Sequence, residues 1–322
     1  MKRLIALICA VLMLLSLTAC GGETQKEDDG KYVIGVCQIE PHPALDAATQ
    51  GFKDAVVAAL GEKNVEFIPG NAAGDSNTLN SIMADYVAKK VDLILANATP
   101  VLQTAAMATT TIPILGTSVT EYSVALELDN FTGTVGGNIS GTSDLAPLDK
   151  QAQMIIDWFP DAKNVGLLYC ATEANSKYQV EVVKQYLEGK GLTVKEYSFS
   201  SSSDMASVTE SAAANSDVIY VPTDNTVANG ASIVKGICEA KKIPVIAGEE
   251  GICSGCGVAT LSISYYELGK VTGEMAVKVL KGEAKVGEMP IQYAGDPVYK
   301  YNKEMCEKLG LTPPEGYVAI GE

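Results

Sequence analysis

The chain contains little of what enzyme active sites are usually built from. Histidine occurs once in 322 residues, tryptophan occurs once, and aromatic residues make up only 6%. The sequence has no GxSxG elbow, no P-loop and no GxGxxG after a predicted strand. The single histidine, His42, excludes histidine-rich metal sites and leaves a nucleophile–base–acid triad without support. We therefore expect no catalysis, no metal site and no cofactor.

Basic residues are also scarce. The chain has 24 Lys and Arg against 39 Asp and Glu, so its formal net charge is −15. Nucleic acids and anionic membranes attract Lys and Arg, so this balance argues against nucleic-acid binding and against peripheral attachment to anionic lipid. Plentiful Ala, Gly and Val suit small helices packed on β-branched strands.

The amino terminus predicts export from the cytoplasm. Lys2 and Arg3 precede an apolar run at residues 4–17, which is shorter than the ~20 residues that span a bilayer. The sequence LTAC then looks like a bacterial lipobox, in which Cys20 becomes the lipidated first residue of the mature chain. A plain signal peptide with a chance cysteine is the alternative. Loss of the signal would change the formal net charge to −17.

A short polar segment follows the predicted signal of residues 1–20. Residues 21–31 are charged and lack apolar periodicity, which predicts a disordered tether. Together, signal and tether predict an extracytoplasmic protein that is anchored to the cell membrane by lipid at Cys20.

Strand and helix signals alternate along the rest of the chain. In the first half we predict strands at 33–39, 65–68, 93–96 and 112–115, and helices at 43–60, 77–89 and from Thr99, with Thr99 as the cap. Residues 117–147 are looser, and the glycine-rich 133–138 is interpreted as a hinge or cleft loop. In the second half we predict strands at 165–169, 193–199, 218–221, 244–247 and 259–263, and helices at 151–159, 178–188, 205–214, 227–241 and 265–281. This order predicts two doubly wound α/β lobes with parallel sheets.

Small polar side chains follow most of the predicted strands. Ligands of doubly wound sheets bind beyond the carboxyl ends of the strands, and a cleft between two lobes is a preferred ligand site. Hydroxyls near Thr117-Ser118 or Ser143 are expected to hold a carboxylate, and Asp224 or Glu249 to accept from an ammonium group. A zwitterion carries a carboxylate and an ammonium group, so it fits both expectations. Helix capping is the alternative for each such residue, although it explains Glu249 less easily.

Six cysteines lie beyond Cys9 and Cys20. Cys253 and Cys256 form a CxxC, which is a weak zinc signal without a second pair or nearby histidines. A local disulfide and a reduced surface loop both stay open for this pair. The others are interpreted as core or helix residues: Cys37, Cys170, Cys238 and Cys306.

Four segments together resemble a known family. They are QIEPHPALDA at 38–47, NISGTSD at 138–144, YVPTDN at 220–225 and GEEG at 248–251. From about Tyr32 to the carboxyl terminus, the sequence is similar to the ABC-transporter substrate-binding family that includes tryptophan/tyrosine-type binding proteins.

The resemblance implies a periplasmic-binding-protein type I fold. Its two lobes would comprise residues 32–143 plus 265–296 and residues 144–264 plus 297–322. Three hinge strands, expected near 118–143, 263–265 and 293–299, would let the lobes close on a ligand. The resemblance also implies separate permease and ATPase subunits, and we expect the binding protein itself to be a non-catalytic monomer.

The resemblance implies as ligand an aromatic or other hydrophobic amino acid. A sugar, nucleoside or purine, or a sensor role in which the protein presents a ligand to a receptor, are the alternatives. By position, the residues in the cleft-forming motifs are Gln38, Glu40, Asp46, Asn97, Thr117, Ser118, Ser143, Asp144, Asn175, Asp224, Asn225 and Glu249.

Overall fold

The computed structural model describes residues 30–293 and 295–321. The predicted signal, Cys20 and nearly all of the predicted tether lie outside the described residues. The strands are β1 (Tyr32–Gln38), β2 (Val65–Asn71), β3 (Leu93–Asn97), β4 (Ile114–Val119), β5 (Ile139–Ser143), β6 (Asn164–Cys170), β7 (Thr193–Phe199), β8 (Val218–Val221), β9 (Val245–Ala247), β10 (Ala259–Ser262), β11 (Gln292–Tyr293), β12 (Val298–Tyr301) and β13 (Val318–Ala319).

Helices connect most of these strands. The α-helices are α1 (Pro43–Leu60), α2 (Ser76–Lys89), α3 (Thr99–Ala108), α4 (Tyr122–Ala125), α5 (Leu148–Trp158), α6 (Ala174–Gly189), α7 (Met205–Asn215), α8 (Asn225–Asn229), α9 (Ala231–Lys241), α10 (Glu250–Cys256), α11 (Tyr265–Leu280) and α12 (Lys303–Leu309).

The strands form two sheets. The first has the order β11-β5-β4-β3-β1-β2 and is parallel throughout. The second has the order β13-β12-β10-β9-β8-β6-β7 and is parallel except where β12 pairs antiparallel with β10. The predicted α/β architecture with two parallel-sheet lobes is confirmed.

Both faces of each sheet are covered, as continuous apolar strands require. Every residue of β3 is buried. Leu93 and Leu95 pack with Met275 of α11 on one face, whereas Ile94 packs with Leu102 of α3 on the other. This alternation follows from the two-residue period of a strand.

The chain passes between the two sheets three times. It crosses between β5 and α5, between β10 and α11, and between β11 and β12. The first crossing thus follows residue 143, whereas the sequence placed the first hinge at 118–143. The lobe limits given above stay a prediction.

Two local predictions are wrong. The stretch 117–147 contains α4 and β5, and its loop 133–138 leads into the amino end of β5, where Ile114 N donates to Asn138 O. That end of the sheet is opposite the carboxyl ends of the strands, where the cleft was predicted, so the loop is neither the predicted hinge nor the predicted cleft loop. The predicted helix 227–241 is broken at Gly230, whose backbone (φ −100°, ψ 16°) ends α8 and precedes α9.

Helices α1 and α11 meet backbone to backbone. A Cβ on Gly269 of α11 would overlap the Ala48 carbonyl of α1, and a Cβ on Gly51 would overlap the Tyr266 carbonyl. Because α11 follows the second sheet in sequence but packs on the first, this contact brings the chain back across the cleft.

Gly269→Ala tests this contact. The added methyl has no space, so we expect a loss of roughly 1–3 kcal/mol or more in the free energy of unfolding, measured by urea denaturation. Gly236→Ala on α9 is the control. Nothing lies within 4 Å of its new Cβ, so it should stabilise the protein by up to about 1 kcal/mol. Equal effects of the two variants would contradict the close approach.

Candidate ligand-binding cleft

The predicted binding residues lie at the carboxyl ends of the strands or beyond them, on the facing edges of the two sheets. All of them are buried except Asp46, which is exposed on the first turn of α1. So many buried polar groups require partners in the protein or in a ligand, because an unpaired buried polar atom costs free energy.

Hydrogen bonds join the two lobes across the cleft. Asn229 Nδ2 of the second lobe donates to Glu40 Oε2 of the first. His42 Nε2 lies 3.2 Å from Asn225 Oδ1. These contacts show that the cleft is closed.

A third hydrogen bond ties two of the crossings together. Tyr265 at the start of α11 donates its hydroxyl to Asp144 Oδ2, 2.8 Å away. Asp144 follows β5, so the bond joins the first crossing to the second. It therefore lies where lobe movement would be centred.

Three of the predicted residues are bonded within the first lobe. Gln38 accepts from the Thr49 hydroxyl and donates to Asp46 Oδ1 at 3.0 Å. Thr117 accepts from the Thr142 hydroxyl at 3.3 Å. Ser143 donates to the Thr120 carbonyl oxygen at 2.8 Å. These side chains hold the sheet edge and α1 in place.

Asp224 caps α8. Its carboxylate accepts from Val227 N at 2.9 Å, from Cys170 N at 2.7 Å and from the Ser176 hydroxyl at 2.8 Å. Burial raises the pKa of this carboxyl group well above its usual value, and Glu173 adds to the effect. Both oxygens are therefore occupied by the second lobe itself.

Glu249 caps α10. Its two carboxylate oxygens accept from Gly251 N and Ile252 N. The expectation that capping would explain this residue poorly is wrong. The three-carbon side chain of a glutamate can reach the first turn of its own helix, and the glycine at 251 leaves it room.

In the cleft, three buried carbonyl or carboxylate oxygens have no hydrogen-bond partner within residues 30–293 and 295–321: Asn97 Oδ1, Asp144 Oδ1 and Asn175 Oδ1. The orientations of both amides are fixed by their donors. Asn97 Nδ2 donates to the Leu45 carbonyl at 2.8 Å, and Asn175 Nδ2 donates to the Thr223 carbonyl at 2.8 Å. The free atoms are therefore oxygens, which can only accept.

Of the other buried polar atoms that lack a partner among the described residues, three belong to the cleft: Thr99 Oγ1, Ser118 Oγ and His42 Nδ1. Thr99 was predicted to cap α3, but Ala98 takes the cap position and the Thr99 hydroxyl makes no capping bond. Ala98 and Ser118 have φ angles of 97° and 53°, a region that non-glycine residues seldom adopt. Such strain is common at ligand sites.

Sequence reasoning missed Thr99, Glu173 and Tyr265 as site residues. Their positions directly after β3, β6 and β10 are the signal that could have found them. His42 stands at the cap position of α1 without making a capping bond, and it contacts Asn225 of the opposite lobe.

Burial sets the charge of the cleft. It raises the pKa of Asp144 and of Glu40, and hydrogen bonds from Tyr265 and Asn229 partly offset the two effects. It lowers the pKa of His42. Each shift favours the neutral form of the side chain, because burial removes the water that would stabilise its charge.

The CxxC is not a surface loop. Cys253 and Cys256 are free, fully buried thiols on α10, and burial raises the pKa of both. The two therefore have the character of core residues.

Within residues 30–293 and 295–321, no helix is both long and apolar enough to cross a membrane. In the same part of the chain, no group of three or more His, Cys, Asp or Glu side chains is placed to hold a metal ion.

Two α/β lobes that close over a polar cleft define a two-lobed ligand-binding protein. Residues 33–320 match the profile of the ABC transporter substrate binding protein family. The chain belongs to this family, so it is the extracytoplasmic solute-binding component of an ABC transporter, which works with permease and ATPase subunits.

Three relatives stand out in the comparisons. The sequence is 36% identical to a tyrosine-binding protein of Clostridioides difficile, over 96% of this chain and 93% of that protein. The structure matches an ABC domain in complex with L-Trp from Streptococcus pneumonia with a TM-score of 0.85 and 33% identity, covering 90% of this chain and 100% of that one.

The third relative is the ligand-free, open structure of a substrate-binding protein with adhesive properties from Clostridium difficile. Its TM-score is 0.67 at 38% identity, and the match covers 90% of this chain and 99% of that one. The backbone is thus closer to the tryptophan complex, although sequence identity is higher to the open structure. This order agrees with the bonds across the cleft.

The cap at Glu249 should make stability pH-dependent. Burial raises the pKa of Glu249 from 4.5 to about 7, so between these values the native state keeps a proton that the unfolded chain has released. The stabilisation is complete below pH 4.5 and is lost as the pH rises through about 7. Urea unfolding should therefore show wild type losing stability relative to Glu249→Gln across this range. The assignment would be contradicted if the free energies of unfolding of the two proteins changed with pH in parallel. Glu210→Gln, at an exposed position on α7, is the control.

Proposed function

We propose that this protein binds an amino acid in the inter-lobe cleft, with aromatic amino acids favoured, and that its closed form is what the permease recognises. The observation that carries the proposal is the set of unpartnered buried polar atoms, which both lobes and a crossing segment contribute. In a closed cleft such atoms are costly unless a ligand pairs with them.

The three free oxygens suit an ammonium group. Asn97 Oδ1 belongs to the first lobe, Asp144 Oδ1 to the first crossing and Asn175 Oδ1 to the second lobe. An ammonium group has three N–H donors and no acceptor. Asp224 and Glu249 were expected in this role, but their oxygens are already occupied by backbone and side-chain donors. We therefore assign the ammonium to the other three residues.

The free hydroxyls suit a carboxylate. Thr99 begins α3 and Ser118 lies on the neighbouring strand β4, so both are near the amino end of a ten-residue helix. A helix amino terminus and hydroxyl donors favour an anion. The sequence also placed Gln38, Thr117 and Ser143 in the cleft. In this proposal their hydrogen bonds within the first lobe hold its side of the cleft in place.

Two relatives support an aromatic side chain on the ligand. One is named as a tyrosine-binding protein, and another holds L-Trp in its structure. In this proposal the protein performs no catalysis. The ligand favours closure because it pairs with both lobes only in the closed state, and its effect is limited to that difference in affinity.

Thermal unfolding of the protein without residues 1–31 tests the ligand class. With L-tyrosine or L-tryptophan at ~100 times the dissociation constant, the free energy of unfolding should rise by about 2.7 kcal/mol. Sugars and nucleosides in the same panel should cause no shift. A shift with these and none with any amino acid would contradict the zwitterion assignment while leaving the transport role intact.

The matched variants for this experiment are Asn175→Ala and Asn215→Ala. Asn175 offers a free buried oxygen, so its loss should weaken binding by roughly 10- to 100-fold. Asn215 ends α7, is exposed and bonds to its own helix, so its replacement should leave binding unchanged. Equal binding by both variants would remove Asn175 from the site.

We also propose that the mature chain is anchored by lipid at Cys20. The lipobox-like LTAC and the polar segment that follows support this. Cys20→Ser should release the protein from the membrane fraction into the soluble extracytoplasmic fraction, as fractionation and immunoblotting would show. Unchanged membrane association would contradict the anchor.

A further inference from the structure

Glu173 is the most heavily bonded carboxylate in the described cleft. It accepts from Asn225 N at 3.0 Å, Asn225 Nδ2 at 2.6 Å, Thr226 N at 2.9 Å, the Thr226 hydroxyl at 2.8 Å and Asn175 Nδ2 at 3.1 Å. Its side chain is buried, so these bonds hold it in one place. All of its partners belong to the second lobe.

This carboxylate fixes the orientation of the Asn225 amide. Since Nδ2 donates to Glu173, the other end of the amide, Oδ1, is the atom that faces His42 Nε2 at 3.2 Å. An amide oxygen can only accept, so His42 Nε2 must carry the proton of this bond. In a neutral ring, Nδ1 then has no proton and is itself an acceptor.

The surroundings of His42 favour its neutral form. Burial lowers the pKa of the ring, while the bond to Asn225 and the charges of Glu173 and Asp46 raise it by less. The groups that face the ring thus come from both lobes. Asn225 and Glu173 belong to the second lobe, and Asp46 lies on α1, the helix that His42 precedes. His42 Nδ1 is buried and has no hydrogen-bond partner in the part of the chain that the structure describes.

We propose that Glu173 is a positioning residue for ligand binding. Through the Asn225 amide it holds His42 as the Nε2–H tautomer, so that Nδ1 accepts a hydrogen bond from an N–H or O–H group of the bound ligand. This assignment rests on the proposed function, since it concerns the same cleft, but it requires only that the ligand carry a donor.

Asn175 does not depend on Glu173 in the same way. Its Nδ2 also donates to the Thr223 carbonyl, which fixes its free oxygen without the carboxylate. The effect of Glu173 on the ligand is therefore directed through Asn225 and His42.

The single histidine of the chain makes a direct test practical. In ¹⁵N-labelled protein saturated with L-tyrosine, only one pair of ring nitrogens is observed, and the protonated and unprotonated atoms resonate far apart. We expect an unprotonated Nδ1 and a protonated Nε2 at neutral pH. A protonated Nδ1 would overturn the assignment.

Glu173→Gln should release the amide. One carboxylate acceptor becomes a donor, so Asn225 can turn and the Nδ1–H tautomer should appear in the spectrum. Affinity for L-tyrosine should fall by roughly tenfold, the cost of one buried hydrogen bond. Glu210→Gln, the same change on an exposed face, should alter neither the spectrum nor the affinity. An unchanged tautomer in Glu173→Gln would overturn the proposal.

A double-mutant cycle separates positioning from general support. If Glu173 acts through Asn225, then Glu173→Gln combined with Asn225→Ala should weaken binding no more than the stronger single variant does. Losses that multiply would overturn the proposal, because they would mean that the two residues act independently. Each variant is compared only after its melting temperature shows that it is folded.

Failure of the proposed function would be recognised separately. If neither L-tyrosine nor L-tryptophan binds, the effect of Glu173 on the Asn225 amide can still be measured in the ligand-free protein, because the two residues lie in the same lobe. Slow hydrogen exchange of the Asn225 side-chain amide that becomes fast in Glu173→Gln would then support it. Equal exchange in both proteins would overturn it.

Discussion

The backbone contact between α1 and α11 is the constraint on which the two-lobed arrangement depends. α11 follows β10 of the second sheet, yet it packs on the first through glycines that leave no room for a side chain. The chain must therefore cross the cleft and return, and the lobes are linked by several segments. Linked in this way, they can move against each other only about the crossings, where Tyr265 bonds to Asp144.

The polar residues of the cleft fall into two groups, according to whether the protein itself uses all of their hydrogen-bonding atoms. Asp224 and Glu249 use their carboxylates on the first turns of α8 and α10, so they stabilise the strand ends. Asn97 and Asn175 use their amide nitrogens on the protein and leave their oxygens free. These amides are held rigidly through their nitrogens, and their oxygens can still accept a hydrogen bond. A site that recognises a small ligand needs both properties.

Periodicity was enough to predict the two sheets, because fully buried strands such as β3 are continuous apolar runs. It failed at β5, whose sequence ISGTS has little apolar content and forms a strand only between its neighbours. The positions of the cleft residues followed from the strand ends. Their roles did not, because whether Glu249 meets a ligand or its own helix depends on distances that residue spacing does not contain.

The closed cleft has a kinetic consequence. The bonds of Glu40 to Asn229 and of His42 to Asn225 span the two lobes, and the groups they enclose are almost entirely shielded from water. A bound molecule can leave only after both bonds break and the lobes separate. The residence time is then set by the opening rate of the protein, so molecules of different size that fill the same cleft should depart at similar rates, and docking on a permease would accelerate their release.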